Sequence, residues 1–442
     1  MSHQVDKNIN QLFIDKFSDF ENQLNGQKAL PIHDLRKKAL IKFKELGIPN
    51  THEEYKYTNF KKALSKNFTF NQLFKNNDDA SISQSDYLIN ELEGNVLVFI
   101  NGQFSEDASH FNNNEIDIKP LTKAYSENPN AITKHFGNLY KDNEDSYALL
   151  NSTFCNNGVF AQIGKNKIVN TPIIIYNISD ASKDEAISFP RNLIIAESGS
   201  QSSVIEVFST IGEKNSFSNA VNEITIDENA ILNYYKILDE TEHVYHIGLT
   251  QASQKKNSTI NAHSYTFGGG IIRNNLHIEQ EGENCTTNMF GLYLLNGNSH
   301  VDNHTEVDHK KPNSYSNELY KGILDEKSTG VFNGKIFVRK EAQKTNAFQS
   351  NKNILLTDEA TVNSKPQLEI WADDVKCSHG CTTGQMDEEA LFYLRSRGID
   401  KDKARAMLLY AFSIDVLKNV TIEPLKKYLD HIIALRFNQN EL

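Results

Sequence analysis

Cysteine is scarce in this chain. Four are spread over 442 residues, at Cys155, Cys285, Cys377 and Cys381, which is no disulfide framework and points to a compartment where thiols stay reduced. No run of about 18 apolar residues occurs, so no membrane-spanning helix is expected. The opening Met1-Ser2-His3-Gln4-Val5-Asp6-Lys7 lacks the basic-then-apolar order of a secretion signal, and a cytoplasmic location is the expectation. Positive charge is also short. Lys and Arg number 46 against 57 Asp and Glu, leaving −11 and a pI of about 5.7, a poor match to nucleic acid. A phosphate loop is missing too. Gly330-Val331-Phe332-Asn333-Gly334-Lys335-Ile336 has three residues between its glycines where four are needed, and Ile336 stands where Ser or Thr should be. Gly268-Gly269-Gly270 is too short for a dinucleotide loop and reads as a tight corner.

What is present, 38% of it hydrophobic, falls into three regions. Residues 1–92 read as a helical domain. Leu12, Phe13, Phe17 and Phe20 form one apolar stripe, and Leu35, Ala39, Leu40, Phe43 and Leu46 form another. Gly47 in a left-handed cap and Pro49 beyond it end the second helix, and Asn76 to Ser85 reads as a linker. Residues 93–385 carry short apolar runs such as Val96–Ile100, Ile173–Tyr176, Leu193–Ile195 and Ile354–Leu356, divided by Asn, Gly, Ser and Asp. These are strand and turn signals, with a helical insertion near 131–150. Acidic turn segments after strands end at 199, 229, 282 and 360, suggesting a repeat of about 26 residues and a strand solenoid whose corners suit Asn. A β-sandwich is the alternative. Residues 386–442 return to helix, with Asp387 as an N-cap, Gly398 after the first helix, and a second helix after Asp400 presenting Ala404, Met407, Leu408, Ala411 and Ile414. A third runs from about 422 to 437.

Lys376-Cys377-Ser378-His379-Gly380-Cys381 holds the densest chemistry. On a strand, Cys377, His379 and Cys381 share a face and could meet one metal; on a helix His379 turns away. The plain alternative is a buried Cys, a satisfied His and a chance second Cys. The spacing is not that of a zinc knuckle, and three ligands leave a metal incomplete, so a fourth group would have to come from elsewhere. His300, His304 and His309, with Asp302 and Asp308 between them, are a second metal candidate, but His309 falls on the opposite strand face. Phe392-Tyr393-Leu394-Arg395-Ser396-Arg397-Gly398 suits either core packing or a docking surface.

Several stretches together resemble the SufB/SufD family of scaffold proteins in the SUF iron–sulfur cluster assembly machinery, and its SufD type in particular. They include His300-Val301-Asp302-Asn303-His304-Thr305, Glu318-Leu319-Tyr320-Lys321-Gly322, Lys365-Pro366-Gln367-Leu368-Glu369, Asp373 to Gly380, and Phe392 to Ile399. Gly47-Ile48-Pro49 and Glu54-Tyr55-Lys56-Tyr57-Thr58 resemble the family as well. The resemblance implies a right-handed parallel β-helix core between N-terminal and C-terminal helical domains. It implies a non-catalytic scaffold that pairs with SufB and docks the ATPase SufC, where ATP hydrolysis would occur, so that this chain binds no nucleotide. The implied docking surface is Asp387, Leu391, Tyr393, Leu394, Arg395, Arg397, Met407 and Tyr410. The implied ligands of a transient iron–sulfur cluster shared with SufB are His379 and Cys377. Cys381 stands where the family usually has a small residue such as Ala. A homodimer of the isolated chain is compatible with the resemblance. A SufB-like paralogue, a β-helix enzyme acting on polysaccharide and a standalone metal-binding protein are the competing readings; SufB-type chains lack the Cys-Ser-His-Gly block.

Overall fold

The computed structural model describes residues 8–24, 27–49, 53–70, 82–112, 115–139 and 145–437. Asn76 to Ser81 of the expected linker lie outside them, and Gln84–Asp86 form a single 3-10 turn.

The chain winds between two sheets. From Gln201 onward each coil gives one strand to each sheet. Strands of the first sheet begin at Gln201, Ile231, Thr259, Thr286, Tyr315, Asn346 and Lys376, and those of the second at Ser216, Val244, Ile271, His300, Thr329 and Thr361. Neighbours are parallel and keep unbroken register. This is a parallel β-solenoid flanked by helices. Parallel strands buried on both faces need near-continuous apolar or internally paired residues. Val, Ile, Leu and Ala fill much of the space between the sheets.

One row of corners sits at Gly199, Asn229, Asn257, Asn284, Asn313 and Lys344, all at positive φ. Asn tolerates the left-handed region better than most residues, and here it gains a second role. Asn257 donates to Asn229 at 3.0 Å and Asn284 to Asn257 at 2.9 Å, a ladder running up the corner. Successive strand starts in the first sheet lie 27 to 31 residues apart (201, 231, 259, 286, 315, 346, 376), longer than the expected 26. Leu356–Ala360 explains the error. It lies between Asn346–Leu355 and Thr361–Ile370, on the opposite row of corners from 199, 229 and 282, so the span from 282 to 360 is about two and a half coils rather than three.

Helices cover the outer faces. Ile9–Gln23, Pro31–Leu46, Phe60–Asn67 and Ser146–Phe154 lay an aromatic layer of Phe13, Phe17, Phe20, Phe43, Phe60 and Phe154 on Phe217 and Ile247 of the second sheet. Gly47 ends the second of these helices at φ 62°, but its ψ of −179° is a mirror-extended conformation rather than the left-handed cap expected, and essentially only glycine adopts it. The helical insertion is wider than 131–150: Leu121–Glu127, Pro129–His135 and Ser146–Phe154. On the first sheet, Lys401–Leu417 and Glu423–Arg436 pack Leu409, Val416, Leu425, Leu429 and Ile433 against Tyr235, Tyr265, Leu292 and Ile323. The buried side of Lys401–Leu417 is Ala404, Ala406, Leu409, Ser413, Val416 and Leu417. Of the expected stripe, Ala404 is buried, Met407, Leu408 and Ile414 are half-buried and Ala411 is exposed. This helix is apolar on more than one side, so periodicity alone did not choose its face.

Candidate functional site at the last coil

The segment Lys376–Gly384 is a strand. It pairs with Asn346–Leu355 and is the last strand of the first sheet. Its partner across the interior, Thr361–Ile370, is the last strand of the second. Among the described residues no further coil covers this end, so the inner wall of the final coil is open along the solenoid axis. The Cys381 thiol lies 3.0 Å from Ser364 Oγ on the opposite strand, which shows that this face points inward. With period 2, Cys377 and His379 share it. Cys377 packs against the small apolar cluster of Ile336, Val338, Ala342, Ala347 and Ala372, and burial pushes its thiol pKa up. His379 and Cys381 are exposed.

Strand geometry also limits what the three residues can share. Four residues along a strand cover about 13 Å, too far for Cys377 and Cys381 to ligate one metal ion. His379 stands two residues, about 6.6 Å, from each, so it can act with either thiol but not with both on one ion. Among the described residues no three His, Cys, Asp or Glu side chains are grouped closely enough to hold a metal ion.

The second histidine group does different work. His300, Asp302 and His304 face outward under the N-terminal segment. Thr58 Oγ1 donates to Asp302 at 2.5 Å and bonds His300 Nε2 at 2.8 Å. Asp302 also takes Arg273 at 2.9 Å and His304 Nε2 at 2.9 Å. Glu54 binds Lys335 at 2.7 Å and approaches His304 Nδ1 at 3.5 Å. The side-chain bond from His304, then Lys335, holds the Glu54 carboxyl well below the usual range. Burial works against an ionised Asp302, but His304 and Arg273 beside it win and lower its pKa as well. This network clamps Glu54-Tyr55-Lys56-Tyr57-Thr58 to the sheet. His309 points the other way, into the core, and bonds Ser316 at 2.9 Å. The sequence missed the clamp because its halves lie some 240 residues apart.

The glycine run Gly330–Gly334 belongs to the strand Thr329–Val338 and forms no loop. The expected docking helix is Glu388–Ser396, N-capped by Asp387, whose carboxylate accepts from Glu389 and Ala390. Leu391 is its buried residue, whereas Phe392 and Tyr393 are 73% and 57% exposed. Arg397 stacks on the Tyr393 ring and donates to its hydroxyl at 3.0 Å. Leu394 is half-buried and Arg395 exposed. Met407 is half-buried on the following helix, and Tyr410 donates to Asp430 at 2.5 Å, tying two helices together.

Comparison with known proteins gives this geometry a family. Residues 177–412 match the family model described as SUF system FeS cluster assembly, SufBD core domain, and residues 7–175 match the SufBD protein N-terminal region. The iron–sulfur cluster assembly protein SufD of Escherichia coli is 30% identical over 388 residues, 86% of this chain and 87% of that protein. An iron–sulfur cluster assembly SufBD family protein of Synechocystis is 29% identical over 394 residues, 87% and 86% of the two chains. SufD of Bacillus subtilis is 25% identical across 96% of this chain and 97% of its own. The chain belongs to the SufB/SufD family of iron–sulfur cluster assembly proteins, and within it is SufD-like. No described helix is long and apolar enough to cross a membrane.

Proposed function

We propose that this chain is the SufD-type scaffold of a SufB–SufC–SufD complex and that its last coil contributes to the nascent cluster site. The observation that carries this is the open final coil, whose exposed inward-facing His379 sits two residues from Cys377 on an edge strand. An edge strand offers unpaired backbone groups to another chain, so a SufB-type partner would seal the coil and bring further ligands to iron. Thiolate with imidazole is a soft donor set that suits iron. Cys381 reaches Ser364 instead, about 13 Å from Cys377, and is left out of the ligand set. The ATPase partner would dock on the projecting helix Glu388–Ser396, with Phe392, Tyr393 and the stacked Arg397 as anchors. ATP hydrolysis there would move the scaffold pair, while this chain binds the cluster without catalysing a reaction of its own.

The test is His379→Ala in the reconstituted three-component complex. Complex assembly is expected to persist and cluster formation to fall at least tenfold; undiminished cluster formation would sink the role given to His379. Removing Phe392 and Tyr393 together should instead release the ATPase and leave the scaffold pair intact.

A further inference from the structure

His379 does not stand alone on its wall. In-register parallel pairing stacks one side chain per coil into columns, and its column reads Ala262, Met289, Glu318, Gln349, His379. The first two positions are apolar, and the two directly behind His379 are polar and buried, with Glu318 at 2% and Gln349 at 3% exposure. Gln349 Nε2 donates to Glu318 at 2.8 Å. That contact orients the amide: its nitrogen faces the carboxylate, so its oxygen is turned from it. Gln349 Oε1 is buried and has no hydrogen-bond partner among the described residues. The wall opposite has been emptied to admit this side chain, because a Cβ on Gly334 would lie 2.2 Å from Gln349 Nε2.

A buried acceptor without a partner costs about 1–3 kcal/mol. The fold does not require it, since Met289 and Ala262 fill the same column position in earlier coils. The next residue of the column on the open side is His379. A ligating histidine commonly donates its second ring N–H to a carbonyl or carboxylate, which fixes the tautomer and aims the other nitrogen.

We infer that Gln349, held by Glu318, is the positioning residue of His379: its amide oxygen accepts the imidazole N–H, selects one tautomer and turns the other ring nitrogen out of the open coil. This rests on the reading of His379 as a ligand, but its test does not.

The experiment uses the full chain with ¹⁵N-labelled histidine, observed above the imidazole pKa. The His379 ring should show the nitrogen shifts of one dominant tautomer, and Gln349→Leu should return them to the mixture of a free imidazole. In the complex the same substitution should slow cluster formation roughly ten- to hundredfold. The reciprocal pair Glu318→Gln with Gln349→Glu keeps both the column bond and an acceptor toward His379, and should restore the single tautomer. Circular dichroism and urea midpoints identify variants that fail to fold, and the reciprocal pair then carries the test. Unchanged His379 shifts in a folded Gln349→Leu protein would overturn the inference, as would failure of a folded reciprocal pair to restore the tautomer. A dominant tautomer lost in Gln349→Leu, together with normal cluster formation by His379→Ala, would instead defeat the ligand role and leave the positioning contact standing.

Discussion

The coil around Glu206 and the coil that ends at Gly384 solve the same interior problem differently. Glu206 is a fully buried carboxylate in mid-solenoid, and four donors meet it: Asn192 at 2.9 Å, Asn222 at 2.9 Å, the Tyr234 hydroxyl at 2.6 Å and, at longer range, Asn177 at 3.5 Å. Coils on both sides supply the partners, so the charge is enclosed and satisfied. At the last coil only one side has a neighbour. The inward face there carries Cys377, His379 and Cys381, and much of it stays open. The difference teaches that in a solenoid function belongs at the end. The middle coil encloses the donors that satisfy Glu206, whereas the open wall of a terminal coil can leave valence for another molecule.

Denaturant unfolding would break this contrast most directly. Glu206→Ala removes the acceptor of four buried donors and opens a cavity, and should cost about 3–5 kcal/mol. His379→Ala, on the open wall, should stay within about 0.5 kcal/mol. Equal losses would mean that the terminal coil is as closed as the middle. Gly334→Ala sits between these cases. Its new methyl meets the Gln349 amide, and a loss of about 1–3 kcal/mol in urea is expected.

Acid sharpens the contrast from the second sheet's outer face. Glu54 and Asp302 have pKa values lowered in the folded state, so they add stability above their unfolded values near 4 and lose it as pH falls below them. The melting temperature should drop below about pH 4. Glu54→Gln should flatten part of that limb, by about 1 kcal/mol or less because Glu54 is partly solvated. An identical acid limb in the variant would remove Glu54 from the clamp.

Thiol alkylation should perturb stability least. Cys381 should react first and Cys377 more slowly, its thiol pKa raised by partial burial. Cys155 and Cys285 are buried and should react only on unfolding. Protection of Cys381 on adding a SufB-type partner would show that the partner seals this coil.

Much of the architecture was legible because it is local. Asp387 and Asp400 cap the helices expected of them, and asparagines turn the corners. The alternation Cys377, His379, Cys381 shared a face once the segment proved to be a strand. What failed depended on remote partners. The repeat length slipped because two corner rows look alike in sequence, and Lys401–Leu417 chose its face from the helix and sheet beside it. The clamp of Glu54 and Thr58 joins residues more than 240 positions apart.

By itself, then, the sequence determined the strands, corners, helix caps and reactive residue types, since turn chemistry, capping and two-residue alternation act over a few positions. Only the tertiary structure decided that Glu318, Gln349 and His379 form one column and that its last member faces an open end. Parallel register brings together residues about thirty positions apart, and nothing in the intervening chain records which of them will meet.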